Sequence, residues 1–400
     1  MVISSVSGRA ARDACPGALQ VHAAADGALA RVRVPGGALT TDALRELAAC
    51  AGELGNGVIE LTSRANVQVR GLADPAAFAA RMAAAGLLPS ATHERVRNIV
   101  ASPLSGRSAT GVLDVRPLVA ALDAGLCERP ALADLPGRFL FALDDGTGDV
   151  LGLGADVTLA AHSVGHPVGH PGGHPGGDLT LLLAGEPVSS VTADAAVAVA
   201  LAAAETFQSI RGDAWRVAEL PDGPARIAER LPRSAPVAPA AADPRKGGVF
   251  PQVDGRVAVD VIVPLGRLTT AQAGLLADLT PAEVRLTPWR TVMLPDLVPE
   301  AAGPVTAALA GAGLVTDTAS PYARLSACTG RPGCAKALAD VQADALRWAE
   351  SGTPGLPGLP ELREQPGGPV HWAGCERRCG RPRGRVTDVV ATPGGYRVSH

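Results

Sequence analysis

DGALARVRVPGGALTTDALRELAACAGELGNGVIELTSRANVQVRGL, from Asp26 to Leu72, returns in a second version as DGRVAVDVIVPLGRLTTAQAGLLADLTPAEVRLTPWRTVMLPDL, from Asp254 to Leu297. The offset is about 225 to 229 residues, so the chain is built from two copies of one unit. In the first copy Leu44, Leu47, Ala48, Ala51 and Leu54 recur at helical spacing behind the N-cap candidates Thr40 and Thr41. After that helix, Ile59 and Leu61 alternate with Glu60 and Thr62. Val67 and Val69 alternate with Asn66, Gln68 and Arg70, the period of half-buried strands. Each copy reads strand, helix, strand, strand, with one polar sheet face. The repeat continues through Ala85-Gly86-Leu87 and Ala312-Gly313-Leu314, and through Arg97 and Arg324. Ala101 then falls opposite Cys328 and Arg107 opposite Cys334, so the halves share a frame but only the second carries thiols there.

A chain of 400 residues exceeds one typical domain, and two or three packed units are expected. Hydrophobic residues make up 47% and charged residues 19%, and the net charge of −3 argues against nucleic-acid binding by bulk charge. MVISSVSGRAARDA at the N-terminus has no apolar leader, and the apolar stretch Val191–Phe207 is interrupted by Asp194 and Glu205. The expectation is a cytoplasmic protein without a membrane partner. Between the copies, LPRSAPVAPAAADPRKGG from Leu231 has linker composition. GHPVGHPGGHPGG, with His166, His170 and His174 at four-residue spacing and His162 just before, has metal-binding composition. Its Gly and Pro content reads better as a flexible hairpin insertion, because these residues hold no fixed ligand geometry.

Of seven cysteines, four form two tight pairs, Cys328-x5-Cys334 and Cys375-x3-Cys379. That suits metal ligation in a reducing compartment better than a disulfide framework. Four thiolates are what a 4Fe-4S cubane needs. Gly330, Pro332 and Gly333 permit a tight wrap, and Cys334 opens the helical run AKALADVQADALRWAE. Structural zinc is the rival, although its ligand pairs usually sit two to four residues apart. His371, four residues before Cys375, is a candidate for hydrogen bonding near the cluster rather than ligation. Cys50 lies in an apolar helical pattern, while Cys15 and Cys127 stand apart.

The paired cysteines, the strand motif Leu61-Thr-Ser-Arg-Ala-Asn-Val-Gln-Val-Arg-Gly71, Arg97-Asn98-Ile-Val-Ala-Ser-Pro103 and the two-fold repeat together resemble the sulfite and nitrite reductase superfamily. Ala14-Cys15-Pro16-Gly17, CTGRPGCA and HWAGCERRCGRP look most like its precorrin-3B synthase family, oxygen-dependent enzymes of aerobic cobalamin biosynthesis. The resemblance spans nearly the whole chain. It implies an α+β fold with a sulfite-reductase-like pseudo-two-fold repeat: two ferredoxin-like half domains paired, plus two α/β domains. The expected divisions are 1–88, first half domain; 89–231, first α/β domain without cluster; 232–252, linker; 253–315, second half domain; and 316–400, second α/β domain with the 4Fe-4S cluster.

The same resemblance implies a tetrapyrrole pocket between the halves and places Arg64 and Arg97 at the family's anion-facing positions, as catalytic candidates. In the reductases the last cysteine of the set bridges cluster and sirohaem iron, which falls on Cys379 here. The synthase family is instead described with a cluster and a mononuclear non-haem iron. The reductases also use a lysine pair, whereas this chain has no lysine before Lys246, and the stretch DDGTGDVLGLGADVTLA from Asp144 is acidic where the pair is expected. GDVLGLGADV has Val157 where a dinucleotide fingerprint needs its third glycine, so electrons are expected from an external donor protein. Asn66, Gln68, Arg70, Arg331, Arg377, Arg378 and Arg381 are substrate-binding candidates, since arginine grips carboxylates through paired hydrogen bonds. Arg383 and Arg385 extend the same basic rim. The bland alternatives are a solvated sheet face and a solvated basic loop. The function expected is O2-dependent hydroxylation of a precorrin, with a sirohaem nitrite or sulfite reductase and a non-catalytic iron-sulfur or zinc module as alternatives.

Overall fold

The computed structural model describes residues 15–162, 178–242, 246–351 and 368–400; the histidine repeat at His166, His170 and His174 lies outside them. In chain order the first half holds β1 (His22–Ala24), β2 (Gly27–Val32), β3 (Ala38–Thr40), α1 (Thr41–Leu54), β4 (Val58–Leu61), β5 (Val67–Leu72) and α2 (Pro75–Ala84). The first α/β domain follows with β6 (Ile99–Ala101), α3 (Arg116–Cys127), β7 (Phe141–Asp144), β8 (Val157–His162), β9 (Asp178–Leu183), β10 (Glu186–Thr192), α4 (Ala193–Ile210) and α5 (Gly223–Ala228). The second half is β11 (Gly248–Pro251), β12 (Val257–Ile262), β13 (Arg267–Thr269), α6 (Thr270–Leu279), β14 (Glu283–Leu286), β15 (Thr291–Leu297) and α7 (Ala302–Gly311). The second α/β domain contains β16 (Leu325–Ala327), α8 (Val341–Ser351), β17 (Val370–Ala373), β18 (Thr387–Thr392) and β19 (Gly395–Ser399).

The two copies fold alike down to single hydrogen bonds. Thr40 Oγ1 caps α1 by accepting from the Ala43 N–H, and Thr269 forms a reciprocal capping box with Gln272 at the start of α6. Thr62 Oγ1 accepts from the Arg64 and Asn66 N–H groups, and Thr287 Oγ1 accepts from Trp289 and Thr291. These two turns place Ala65 and Arg290 in the left-handed region, with φ of 54° and 62°.

The halves are interlocked. The first half's sheet has the order β1-β2-β5-β4-β13 and the second's β11-β12-β15-β14-β3, so each donates one short strand to the other. Leu39 and Leu268, on the donated strands, are buried in the sheets they join. Gly37, at φ 70°, permits the crossing, because a Cβ there would stand 2.0 Å from the Leu286 carbonyl oxygen. One apolar core runs through both halves. Arg45 on α1 reaches the Ala277 carbonyl and Asp278 on α6, joining the two helices.

Each α/β domain has a parallel core continued by antiparallel strands: β6-β7-β8 then β9 and β10, and β16-β17-β18 then β19. The paired halves and two α/β domains expected from the sequence are therefore present. One register differs: the Ser102 N–H bonds Leu143 as the Cys328 N–H bonds Trp372, so Ser102, not Ala101, occupies the cysteine position. α4 is long and apolar enough to cross a membrane by length and composition, and it packs Ala200, Leu201, Ala204 and Phe207 into the domain core.

The linker boundary also shifts. Gly248–Pro251 is an edge strand of the second half, paired to β12, and the preceding residues are strapped to the first α/β domain. Thr180 donates to the Val237 carbonyl at 2.7 Å, Ser190 to Ala235 at 2.7 Å, and the Ala242 N–H to Gly148 at 3.0 Å. Proline-rich composition marks missing N–H donors, but the remaining carbonyls still find side-chain partners.

Arg107 crosses from the first α/β domain to the second half. Its guanidinium holds Asp296 at 2.8 and 2.6 Å and reaches Glu283 at 3.1 Å, keeping the Asp296 carboxyl down at about 2. Arg107→Ala is expected to lower unfolding free energy on the order of 3 kcal/mol, the lower end for breaking a buried pair, in denaturant titration. A second expectation concerns Asp149. Burial, then its neighbours Asp144 and Asp145, raise its carboxyl to about 7 against the bond from Ser102. The unfolded chain releases that proton near pH 4 while the native chain keeps it, so stability falls as pH rises from about 4 to about 7. Asp149→Asn should flatten that decline in pH-dependent thermal melts.

Candidate redox and anion site

Cys328 and Cys375 emerge at the carboxyl ends of adjacent parallel strands. β16 runs directly into Cys328, and β17 reaches Cys375 through Gly374, with Ala327 paired to Trp372. This end of an open α/β sheet is where ligands are held. Cys334 closes its turn by donating from its N–H to the Gly330 carbonyl at 2.8 Å. The Gly374 N–H points at Cys328 Sγ, 3.1 Å away, and a Cβ there would crowd Ala337 at 2.7 Å and the same sulfur at 3.6 Å. Burial pushes the Cys328 thiol pKa up, and Cys379 and Cys375 push the same way, so three of the sulfurs share one locality.

Among the described residues no group of three or more His, Cys, Asp or Glu side chains is close enough to hold one metal ion. A zinc site would gather its ligands within about 2.0–2.3 Å of one centre. Four thiols on two glycine-bearing loops, with an N–H···S bond already formed, fit a multi-iron cluster better than a single ion. Among the described residues a mononuclear iron likewise has no ligand set. His371 lies buried in β17 with Nδ1 3.0 Å from Ser326 Oγ, and burial pushes its pKa down to about 4, leaving the ring neutral.

The polar face expected in the first copy is present and turns toward these loops. Cross-strand register sets Arg31, Gln68 and Glu60 side by side. Arg31 donates to Gln68 at 2.9 Å, and Gln68 donates to Glu60 at 2.6 Å. Arg70, on the same face, grips Asp26 with two 2.8 Å bonds and donates to the Gly333 carbonyl at 2.9 Å, fastening the cysteine loop to the sheet.

Further along lie guanidiniums with little to balance them. Arg33 is 2% exposed; Nε and Nη2 donate to the Arg95 and Pro16 carbonyls, and Nη1 has no partner among the described residues. Arg64 donates to the Gly137 carbonyl at 3.1 Å. Burial, then neighbouring Arg31 and Arg64, lowers Arg33 to about 9; burial, then Arg216, lowers Arg64 to about 10. Arg216 is held by Asp156 at 2.7 Å and by the Gly154 carbonyl. Gly154, left-handed at φ 61°, carries the side chain of Arg383 against it, since a Cβ there would meet Arg383 Nη1 at 1.5 Å. The loop after Cys379 thus touches the first α/β domain beside these arginines.

Several expected site residues hold the fold instead. Arg97 is committed to Asp123 through two 2.6 Å bonds, anchoring α3 rather than facing an anion. Asn66 accepts from the Val34 N–H and donates to Asn98, both buried. Arg378 and Arg381 converge on Asp388, and Arg331 donates to the Ala337 carbonyl. Arg377 is exposed. The partners Asp26, Asp123 and Asp388 are visible only once the chain is folded. Arg31, Arg33 and Arg216 are the residues sequence reasoning missed; Arg-Val-Arg alternation in and just after β2 is the signal for the first two, and nothing local marks Arg216.

Residues 22–81 and 250–312 match the nitrite/sulfite reductase ferredoxin-like half domain family. Both copies of the repeat therefore resemble that half domain. It is 29% identical, over 96% of its length and 82% of the relative's, to a precorrin-3B synthase of Sinorhizobium sp. It is 29% identical, over 90% of its length and 75% of the relative's, to a ferredoxin–nitrite reductase of Synechococcus elongatus. The structure of the Mycobacterium tuberculosis NirA protein superposes with a TM-score of 0.72 over 93% of this chain and 73% of that one, at 23% identity, a likeness of fold.

Replacing Cys328, Cys334, Cys375 or Cys379 by serine should remove or degrade the EPR signal of a reconstituted cluster, whereas Cys50→Ser should not. Cys50 is buried and its thiol is raised to about 11. A normal cluster in both Cys334→Ala and Cys375→Ala would refute the assignment.

Proposed function

We propose that the chain is a redox enzyme of the precorrin-3B synthase kind, adding one oxygen atom from O2 to a precorrin. The observation that carries the reading is the pair of Arg33, buried, and Arg64, half-buried, whose guanidiniums donate to backbone carbonyls. Unpaired charge in a protein interior is costly, and a polycarboxylate tetrapyrrole entering between the halves would supply the missing anions. Arg33 Nη1 is the donor left open for such a carboxylate, and Arg64 and Arg216 would orient a second one.

A cluster on Cys328, Cys334, Cys375 and Cys379 would supply electrons one at a time from an external donor protein. Arg70 would keep the macrocycle side and the cluster side in fixed relation through Asp26 and Gly333. The likeness to the Sinorhizobium synthase, over somewhat more of both chains than the likeness to the Synechococcus reductase at equal identity, supports the oxygenase reading. So does the absence of lysine before Lys246: the acidic stretch wraps Asp144 around its own Gly146 and Gly148 N–H groups and offers no cation.

The nitrite reductase relatives support a second reading, because the same arginines suit the carboxylates of a bound sirohaem. Supplied with reductant, O2 and precorrin-3A, the enzyme is expected to give a product one oxygen atom heavier, with label from isotopic O2. Arg64→Ala should weaken turnover by about 1.5–3 kcal/mol, the worth of a charge-assisted hydrogen bond. Purified protein that carries stoichiometric sirohaem and reduces nitrite or sulfite, leaving precorrin-3A untouched, would establish the reductase instead.

A further inference from the structure

Oxidisable aromatics are scarce in this chain, with four Trp and two Tyr in 400 residues. Four of those six, Trp348, Trp372, Tyr322 and Tyr396, line the one core that also packs Cys328. Trp372 is fully buried, and its carbonyl accepts the Cys328 N–H at 2.9 Å. Its ring centroid lies 5.0 Å from Tyr396 in an edge-on contact and 6.4 Å from Trp348. Tyr396 and Trp348 are half-buried, so the stack runs from the cysteine loops toward solvent.

Proton acceptors give the stack a direction. A buried indole N–H ordinarily finds a partner, yet Trp372 Nε1 has none among the described residues. An oxidised Trp372 therefore has nowhere to send its proton. The Tyr396 hydroxyl instead donates to the carboxylate of Asp344, which is 9% exposed and also bound by Arg347. Losing an electron makes a phenol strongly acidic, and here the base is already in place.

We infer that Trp372 and Tyr396 form a one-electron relay that draws oxidising equivalents away from the cysteine site and deposits them at Tyr396. The inference rests on the reading that the four thiols hold an iron-sulfur cluster. Its oxidant is hydrogen peroxide, the by-product class of O2 chemistry. A cluster held by the four thiols would supply one electron, which splits the O–O bond into hydroxide and a hydroxyl radical. Trp372 gives that radical the second electron and is refilled from Tyr396, whose phenolic proton passes to Asp344. With two protons from solvent, one for each hydroxide, the products are two waters, a neutral tyrosyl radical and protonated Asp344, and an external thiol can reduce the radical.

The test uses reconstituted holoprotein with iron and sulfide measured first, mixed with hydrogen peroxide, freeze-quenched and read by EPR. The wild type should show a narrow tyrosyl signal. Tyr396→Phe preserves the ring packed on Trp372 and should abolish that signal while raising oxygen adducts on Trp372 in peptide mass spectra. Asp344→Asn should lower the tyrosyl yield with Tyr396 intact. A cluster-loaded wild type without a tyrosyl signal, or a signal unchanged in Tyr396→Phe, overturns the relay and leaves the cluster reading standing. Protein that takes up no cluster at all overturns both.

Discussion

The exchange of β3 and β13 between the halves is the constraint on which the rest of the structure depends. Each donated strand is three residues long, far too short to stand alone, and each is held by backbone pairing in the other half's sheet with a buried leucine at its centre. Neither half can close its sheet or bury its core without the other. The crossing places the polar face of the first sheet under the cysteine loop of the second α/β domain, where Arg70 meets Gly333. It also places the second half under Arg107 of the first α/β domain.

That pseudo-symmetry makes the asymmetry of the sites legible. The carboxyl ends of β16 and β17 carry Cys328 and Cys375, while the corresponding ends of β6 and β7 carry Ser102 and the Asp144–Asp149 loop. One end carries cysteines. The other folds carboxylates onto its own backbone N–H groups and, at Asp149, keeps a proton. The same frame thus supports a cysteine-bearing edge in one domain and a closed, self-satisfied edge in the other.

Arginine is used in two ways that composition alone does not separate. Arg70, Arg97, Arg107, Arg378 and Arg381 each meet a carboxylate and act as struts. Arg33 and Arg64 meet carbonyls, and burial lowers the pKa of both. A carboxylate partner is what separates the two uses, because a buried cation without a counter-charge raises the free energy of the protein.

The repeat, the helix caps at Thr40 and Thr269, the strand alternation and the paired cysteines are local patterns. Period and spacing in the sequence by themselves determined that two like half domains exist and that only the second carries the cysteine pairs. The resemblance to the superfamily rests on those motifs. Strand exchange was not legible, because β3 and β13 satisfy the same local rules whichever sheet accepts them. Nor was the division of arginines between those that meet carboxylates and those that meet carbonyls, since Asp123 lies 26 residues from Arg97, Asp296 lies 189 from Arg107, and Arg216 is far from Arg64 in the chain. The linker's strapping and the Trp372–Tyr396 contact were equally out of reach. Those features depend on which distant groups are desolvated together, and only the tertiary structure decided that.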